Sequence, residues 1–161
     1  MYASQEKSLR KLFKNTYPEN LCLDNVLIKV ASLNTFYKTR IFVPFYVAEH
    51  IVDFGMDQRL SSFDLSVVND IANVQFPNRQ RRCYSFFSKY CHFHYPKQFP
   101  IYDTRVEKML INHQKQDNFS TFTKKDLKDY PTFHAVYEEF QKFYGLQSFT
   151  FKEIDNYFWQ A

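Results

Sequence analysis

The sequence predicts an all-α protein built as an orthogonal multi-helix bundle, and three observations carry that prediction. Apolar residues recur with helical spacing almost end to end along the 161 residues. Glycine is scarce, with only Gly55 and Gly145 present, whereas a β-sandwich needs many tight turns. No stretch alternates apolar and polar residues for long enough to predict a sheet.

The elements follow in chain order. Ser4 to Lys14 reads as a basic amphipathic helix, and Leu23, Val26, Leu27, Val30 and Tyr37 form the stripe of a second. Pro44 suits a first helical turn and opens a third helix, running to about Phe54. Its apolar residues surround the axis, so a central buried helix is expected there. A shorter helix covers Leu65 to Ala72, and another runs from Arg81 to about His94 with Cys83, Phe86, Phe87, Tyr90 and Cys91 on one side. Pro96 and Pro100 interrupt the pattern. Asp103 then starts a helix carrying Val106, Met109 and Leu110. Asn112 to Tyr130 is polar and reads as a long loop with one helical turn. Phe133, Val136, Tyr137, Phe140 and Tyr144 make a further stripe, stopped by Gly145. Thr150 and Glu153 have capping-box spacing ahead of FKEIDNYFWQ. No linker or internal repeat divides the chain, so one helical domain over residues 1–161 is expected.

Composition narrows the function classes. A chain of this length buries roughly 70% of its unfolded surface, enough for a core. Aromatic content is high, with 19 Phe, 12 Tyr and one Trp; most fill a core, but surface aromatics also stack on bases or protein partners. Two glycines lying far apart cannot build a phosphate loop or a dinucleotide fingerprint, so no nucleotide cofactor is expected. Three cysteines, Cys22, Cys83 and Cys91, have no framework spacing, which points to a reduced compartment. The amino-terminal residues MYASQEKSLRKLF lack the apolar segment of a signal peptide, and no apolar run is long enough to span a bilayer. A soluble, cytoplasmic protein is expected. The net charge of +4 permits nucleic-acid binding, depending on where the cations sit.

Four features could carry chemistry. Asp103, in PIYDTRVEKML, stands where a helix N-cap belongs; a carboxylate so held could also stabilise a developing positive charge. In RRCYSFFSKYCHFH, the residues Arg81, Arg82, Ser85, Ser88, Lys89 and His92 fall away from the apolar stripe. That face is either solvated or, with Arg79 upstream, a ridge facing phosphates. Lys89 is its only lysine and would be a nucleophile if its pKa were lowered. Asn34 lies in the apolar stripe of the second helix and either makes a structural hydrogen bond or reaches a ligand or duplex, with Lys38 and Arg40 suited to phosphate contact. Cys91, His92 and His94 do not make a metal site, because a structural zinc needs four ligands and no second cluster exists. No metal or other cofactor is expected.

The segments LNTFYKTRIFVPFYVAEHI, SFFSKYCHFHYPKQFPIYDTRVEKML and FKEIDNYFW resemble small bacterial single-domain proteins with the 8-oxoguanine DNA glycosylase fold, within the helix–hairpin–helix glycosylase superfamily. The similarity covers about residues 25–110 and the last helix. Its most specific part, PIYDTRV, resembles the proline, aspartate and threonine segment that opens a helix in that superfamily, which puts Asp103 on the catalytic aspartate and Arg105 beside the DNA. The segment from Asn34 to Thr39 resembles a helix ending in a duplex-wedging amide. The resemblance implies a DNA N-glycosylase acting on a flipped-out base, with Asp103 and Lys89 catalytic and Asn34, Lys38, Arg40, Arg79, Arg81, Arg82 and Arg105 on the DNA. The alternative is a non-catalytic nucleic-acid or protein-binding module with the same fold. It is favoured by the lack of glycine between Gly55 and Gly145, where the superfamily's hairpin is glycine-rich.

Overall fold

Nine α-helices and one two-stranded hairpin make up the computed structural model, which describes residues 1–161. In order they are α1 (Tyr2–Lys11), α2 (Leu23–Tyr37), α3 (Pro44–Phe54), α4 (Asp57–Ser61), α5 (Val67–Ile71), β1 (Asn73–Phe76), β2 (Arg79–Arg82), α6 (Tyr84–His94), α7 (Thr104–Asp117), α8 (Tyr130–Phe143) and α9 (Phe151–Gln160). A π-turn over Leu12–Thr16 extends α1, and a 3-10 turn over Asp126–Lys128 precedes α8. No helix is long and apolar enough to cross a membrane.

Local chemistry explains most boundaries. Pro44 takes the first turn of α3, and Gly55 ends that helix with φ of 70°, a conformation that costs glycine little. Asp103 caps α7, accepting from the N–H groups of Arg105 and Val106 at 2.9 Å each. Thr150 and Glu153 form the reciprocal capping box that opens α9.

The core runs along the whole chain, from Leu9 and Phe13 to Ile154 and Phe158. Its axis is α6, in which every residue except Ser85 is buried. Helices α1, α2 and α5 pack around α6. Aromatic edge-to-face pairs fill much of the interior, among them Phe86 with Phe87 at 5.2 Å and Tyr137 with Phe151 at 5.2 Å, an arrangement worth a little beyond burial alone.

Several expectations are overturned. The chain does contain a sheet, with Asn73 opposite Arg82 and Phe76 opposite Arg79. Its two-residue turn, Pro77–Asn78, has no positive φ, so the glycine of a primed turn is not required. Arg81 and Arg82 therefore lie in β2, and the helix begins only at Tyr84. Ser88, Lys89 and His92 are buried, because α6 is enclosed on all sides and has no solvated face. The roles expected for α3 and α6 are reversed: Phe45 on α3 is 42% exposed, and only Val47, Ala48 and Ile51 of that helix are buried. Helix α7 continues to Asp117, six residues into the expected loop. The helix expected over Leu65 to Ala72 is the shorter α5, and α4 was not foreseen.

Candidate functional site

The middle of α6 holds an amine inside the protein. Lys89 is 4% exposed, and its Nζ donates to Ser85 Oγ at 2.6 Å and to the Tyr102 carbonyl at 3.4 Å. Burial lowers its pKa, while the nearby carboxylates of Asp103 and Asp155 raise it and Lys152 lowers it further. Ser85 and Ser88 also donate to the Tyr102 carbonyl, at 3.0 and 3.1 Å. The backbone just before Asp103 is thus pinned to the turn of α6 that carries Lys89.

Helix α9 completes this cluster. Asp155 is buried, and its Oδ2 accepts from Lys152 Nζ at 2.9 Å. Its Oδ1 is buried with no hydrogen-bond partner, which is costly for a carboxylate oxygen and uncommon in folded proteins. Burial raises the Asp155 pKa, with Lys152 opposing and Asp103 adding to the rise. Burial also acts to lower the Lys152 pKa, but Asp155 and Tyr37 outweigh it and leave that pKa raised. The Tyr37 ring lies 5.9 Å from Lys89 Nζ and 5.8 Å from Lys152 Nζ. Four helices, α2, α6, α7 and α9, therefore bring two amines, two carboxylates and a phenol together. Chemically, such a set can offer an amine nucleophile and a carboxylate able to stabilise positive charge.

The expected DNA contacts divide into groups. Asn34 clamps the chain that follows α2: its Oδ1 accepts from Thr39 Oγ1 at 2.8 Å and the Ile41 N–H at 2.9 Å, and its Nδ2 donates to the Ile41 carbonyl at 2.8 Å. That amide is committed inside the protein. The clamp holds Lys38 and Arg40 at φ of 50° and 60°, where residues other than glycine rarely sit. Arg81 crosses from β2 to donate to the carbonyls of Arg40 at 2.7 Å and Thr39 at 3.2 Å. Lys38, Arg40 and Arg79 are exposed along this loop and hairpin. Arg82, at the end of β2, and Arg105 make other contacts. Arg82 donates to the Lys128 carbonyl and lies over the Tyr84 ring at 4.5 Å; Arg105 ties α7 to the Phe158 carbonyl of α9 at 2.8 Å.

Two surface grooves stand out, and neither is lined by Lys89 or Asp103. One, of about 470 Å³, is bordered by Glu19, Leu21, Asp57, His94 and Tyr95. The other, of about 440 Å³, lies between the α2–α3 loop and the hairpin. No group of three His, Cys, Asp or Glu is placed to hold a metal. His92 instead donates from Nδ1 to the Phe99 carbonyl at 2.8 Å, and Cys91 is buried in the core.

Sequence reasoning missed Asp155, Lys152 and Tyr37. Lys152 and Asp155 are three apart on a helix and read as an ordinary surface pair. The signal that could have raised them is the apolar run around them, Phe151, Ile154 and Phe158, which places Asp155 on the buried side of α9.

Residues 1–98 match the family model HI_0787_N, described as an N-terminal domain. A protein of Haemophilus influenzae described as uncharacterized is 40% identical over 149 residues, spanning 92% of this chain and 69% of the relative. No solved structure matches the chain.

Proposed function

The chain belongs to the HI_0787_N family, and from its geometry we propose that it is a nucleic-acid-binding N-glycosylase of the helix–hairpin–helix type, acting on a flipped-out base in DNA. In this reading, α6 and α7 with the proline turn between them correspond to the lysine- and aspartate-bearing segment of that superfamily. The β1–β2 hairpin takes the place of its glycine-rich hairpin.

One observation carries the proposal. Lys89 is a buried amine whose pKa burial lowers, and the carboxylate of Asp103, held at a capped helix start, is near enough to oppose that lowering. A base extruded from the stack, at a cost of a few kcal/mol, would present its sugar carbon to this pair. Asp103 would stabilise the oxocarbenium-like sugar as the glycosidic bond breaks, the bonding pair leaving with the base, which takes a proton from solvent. Water would then add to the sugar carbon, its proton passing to solvent. Alternatively, the Lys89 amine would add and form a Schiff base on ring opening, which permits strand cleavage.

A second reading is a non-catalytic nucleic-acid or protein-binding module of the same fold. It is favoured by the enclosure of Lys89, which is 4% exposed. The two separate on a panel of duplexes, each carrying one damaged or modified base. The enzyme reading expects release of a base from at least one duplex; salt-sensitive retention of DNA with no release from any duplex would leave the binding module standing.

A further inference from the structure

Phe42 is 85% exposed, and its position is held from both sides. Ile41 before it is buried and clamped through its backbone by Asn34, and Pro44 after it is locked into the first turn of α3. The ring borders the groove of about 440 Å³ whose other walls include Val43, Tyr46, Phe76, Arg79 and Arg81. The lining of this groove carries two cations, Arg79 and Arg81, and no acid. No Asp or Glu occurs between Asp24 and Glu49, or between Asp70 and Asp103, the two segments that supply every one of these walls. Arg79 is exposed, as are Lys38 and Arg40 on the loop that carries Phe42.

An exposed aromatic ring beside a groove of cations without acids matches a polyanion that carries flat apolar rings. We propose that Phe42 is a stacking platform for an unpaired nucleobase, which enters the groove between the α2–α3 loop and the hairpin while Lys38, Arg40 and Arg79 hold the neighbouring phosphates. The proposal rests on the nucleic-acid reading above and names the form bound at this groove: an unpaired stretch, such as the one opened around an extruded base, rather than intact duplex. Bases within a duplex are already stacked on one another and leave no face for an outside ring, whereas every unpaired base has one. The groove's volume falls within the range of small-molecule pockets, ample for one base.

The test measures binding of the full chain to a fluorescent single-stranded oligonucleotide and to its duplex by anisotropy, for wild type, Phe42→Ala and Phe42→Leu. Melting temperature is followed in parallel and should not change, since the ring is exposed. Wild type is expected to prefer the single strand. Phe42→Ala should weaken single-strand affinity by about tenfold or more and leave duplex affinity within about twofold. Phe42→Leu should fall between, because it keeps apolar contact and loses the π face. Equal single-strand affinity in wild type and Phe42→Ala overturns the stacking role while the nucleic-acid reading survives. Wild type that binds neither oligonucleotide, or that binds anionic vesicles instead, overturns both.

Discussion

Lys89 shows how far one side chain can depart from its appearance in sequence. On a helical wheel it shares a polar face with Ser85, Ser88 and His92, but all of these except Ser85 are buried. The wheel identifies the side opposite the apolar stripe; it does not reveal that Tyr102, Tyr37 and α9 cover that side. If Lys89 is kept for chemistry, it carries a stability cost, because a buried amine loses hydration that its partners only partly replace. Lys89→Met should therefore stabilise the protein by about 1 kcal/mol, a rise of about 2–4 °C for a chain of this size. Thermal melting checks this, and a lower Tm would show the amine to be a structural tie. In the same residue's chemistry, borohydride should trap wild type on abasic-site DNA, and Lys89→Gln should leave no adduct. An adduct that survives in the variant would assign the chemistry to another amine.

The α2–α3 loop and the hairpin behave as one element, since Arg81 joins β2 to the loop carbonyls and Asn34 clamps the loop from within. Their arginines therefore have separable roles. Arg79→Ser should reduce DNA affinity and flatten its salt dependence without changing the melting temperature. Asn34→Ala should lose about 1–3 kcal/mol, because the Ile41 N–H and carbonyl lose their partner; chemical denaturation measures it, and a change within error would mean water replaces the amide. The helices flanking this element were legible from local signals, the Leu23–Tyr37 stripe and Pro44 at the start of α3. The hairpin was not. Four residues per strand give too short an alternation, and Pro77–Asn78 is a weaker turn signal than an Asn–Gly pair. Asp103 and the Thr150–Glu153 box were readable because capping is written in adjacent residues. The meeting of α7 and α9 with Lys89 is tertiary, and no local pattern encodes it.

The whole molecule couples folding to protonation through its buried bases. Burial lowers the His92 pKa to about 3 against an ordinary 6.5, so the unfolded chain binds a proton at a pH where the folded one does not. Stability from this group is complete above about pH 6.5 and is lost as pH falls toward 3. Lys29 behaves likewise at the alkaline end. Burial lowers its pKa to about 8 from 10.5, against the pull of Asp57, so its contribution grows as pH rises from about 8 to 10.5. Urea midpoints should accordingly begin to fall just below pH 6.5, ahead of the carboxylate range. His92→Gln should flatten the decline between pH 6.5 and 5; an unchanged slope would place the acid sensitivity in other groups, such as His94, whose pKa burial also lowers.

The proposed chemistry depends most directly on the charge of Asp103, and one conservative change isolates it. Asn caps a helix about as well as Asp, so Asp103→Asn should melt within a few degrees of wild type. Base release from whichever lesion duplex the wild type accepts should nevertheless fall by orders of magnitude, because an amide cannot stabilise the oxocarbenium-like sugar. Wild-type rates of base release from a well-folded Asp103→Asn protein would contradict the account.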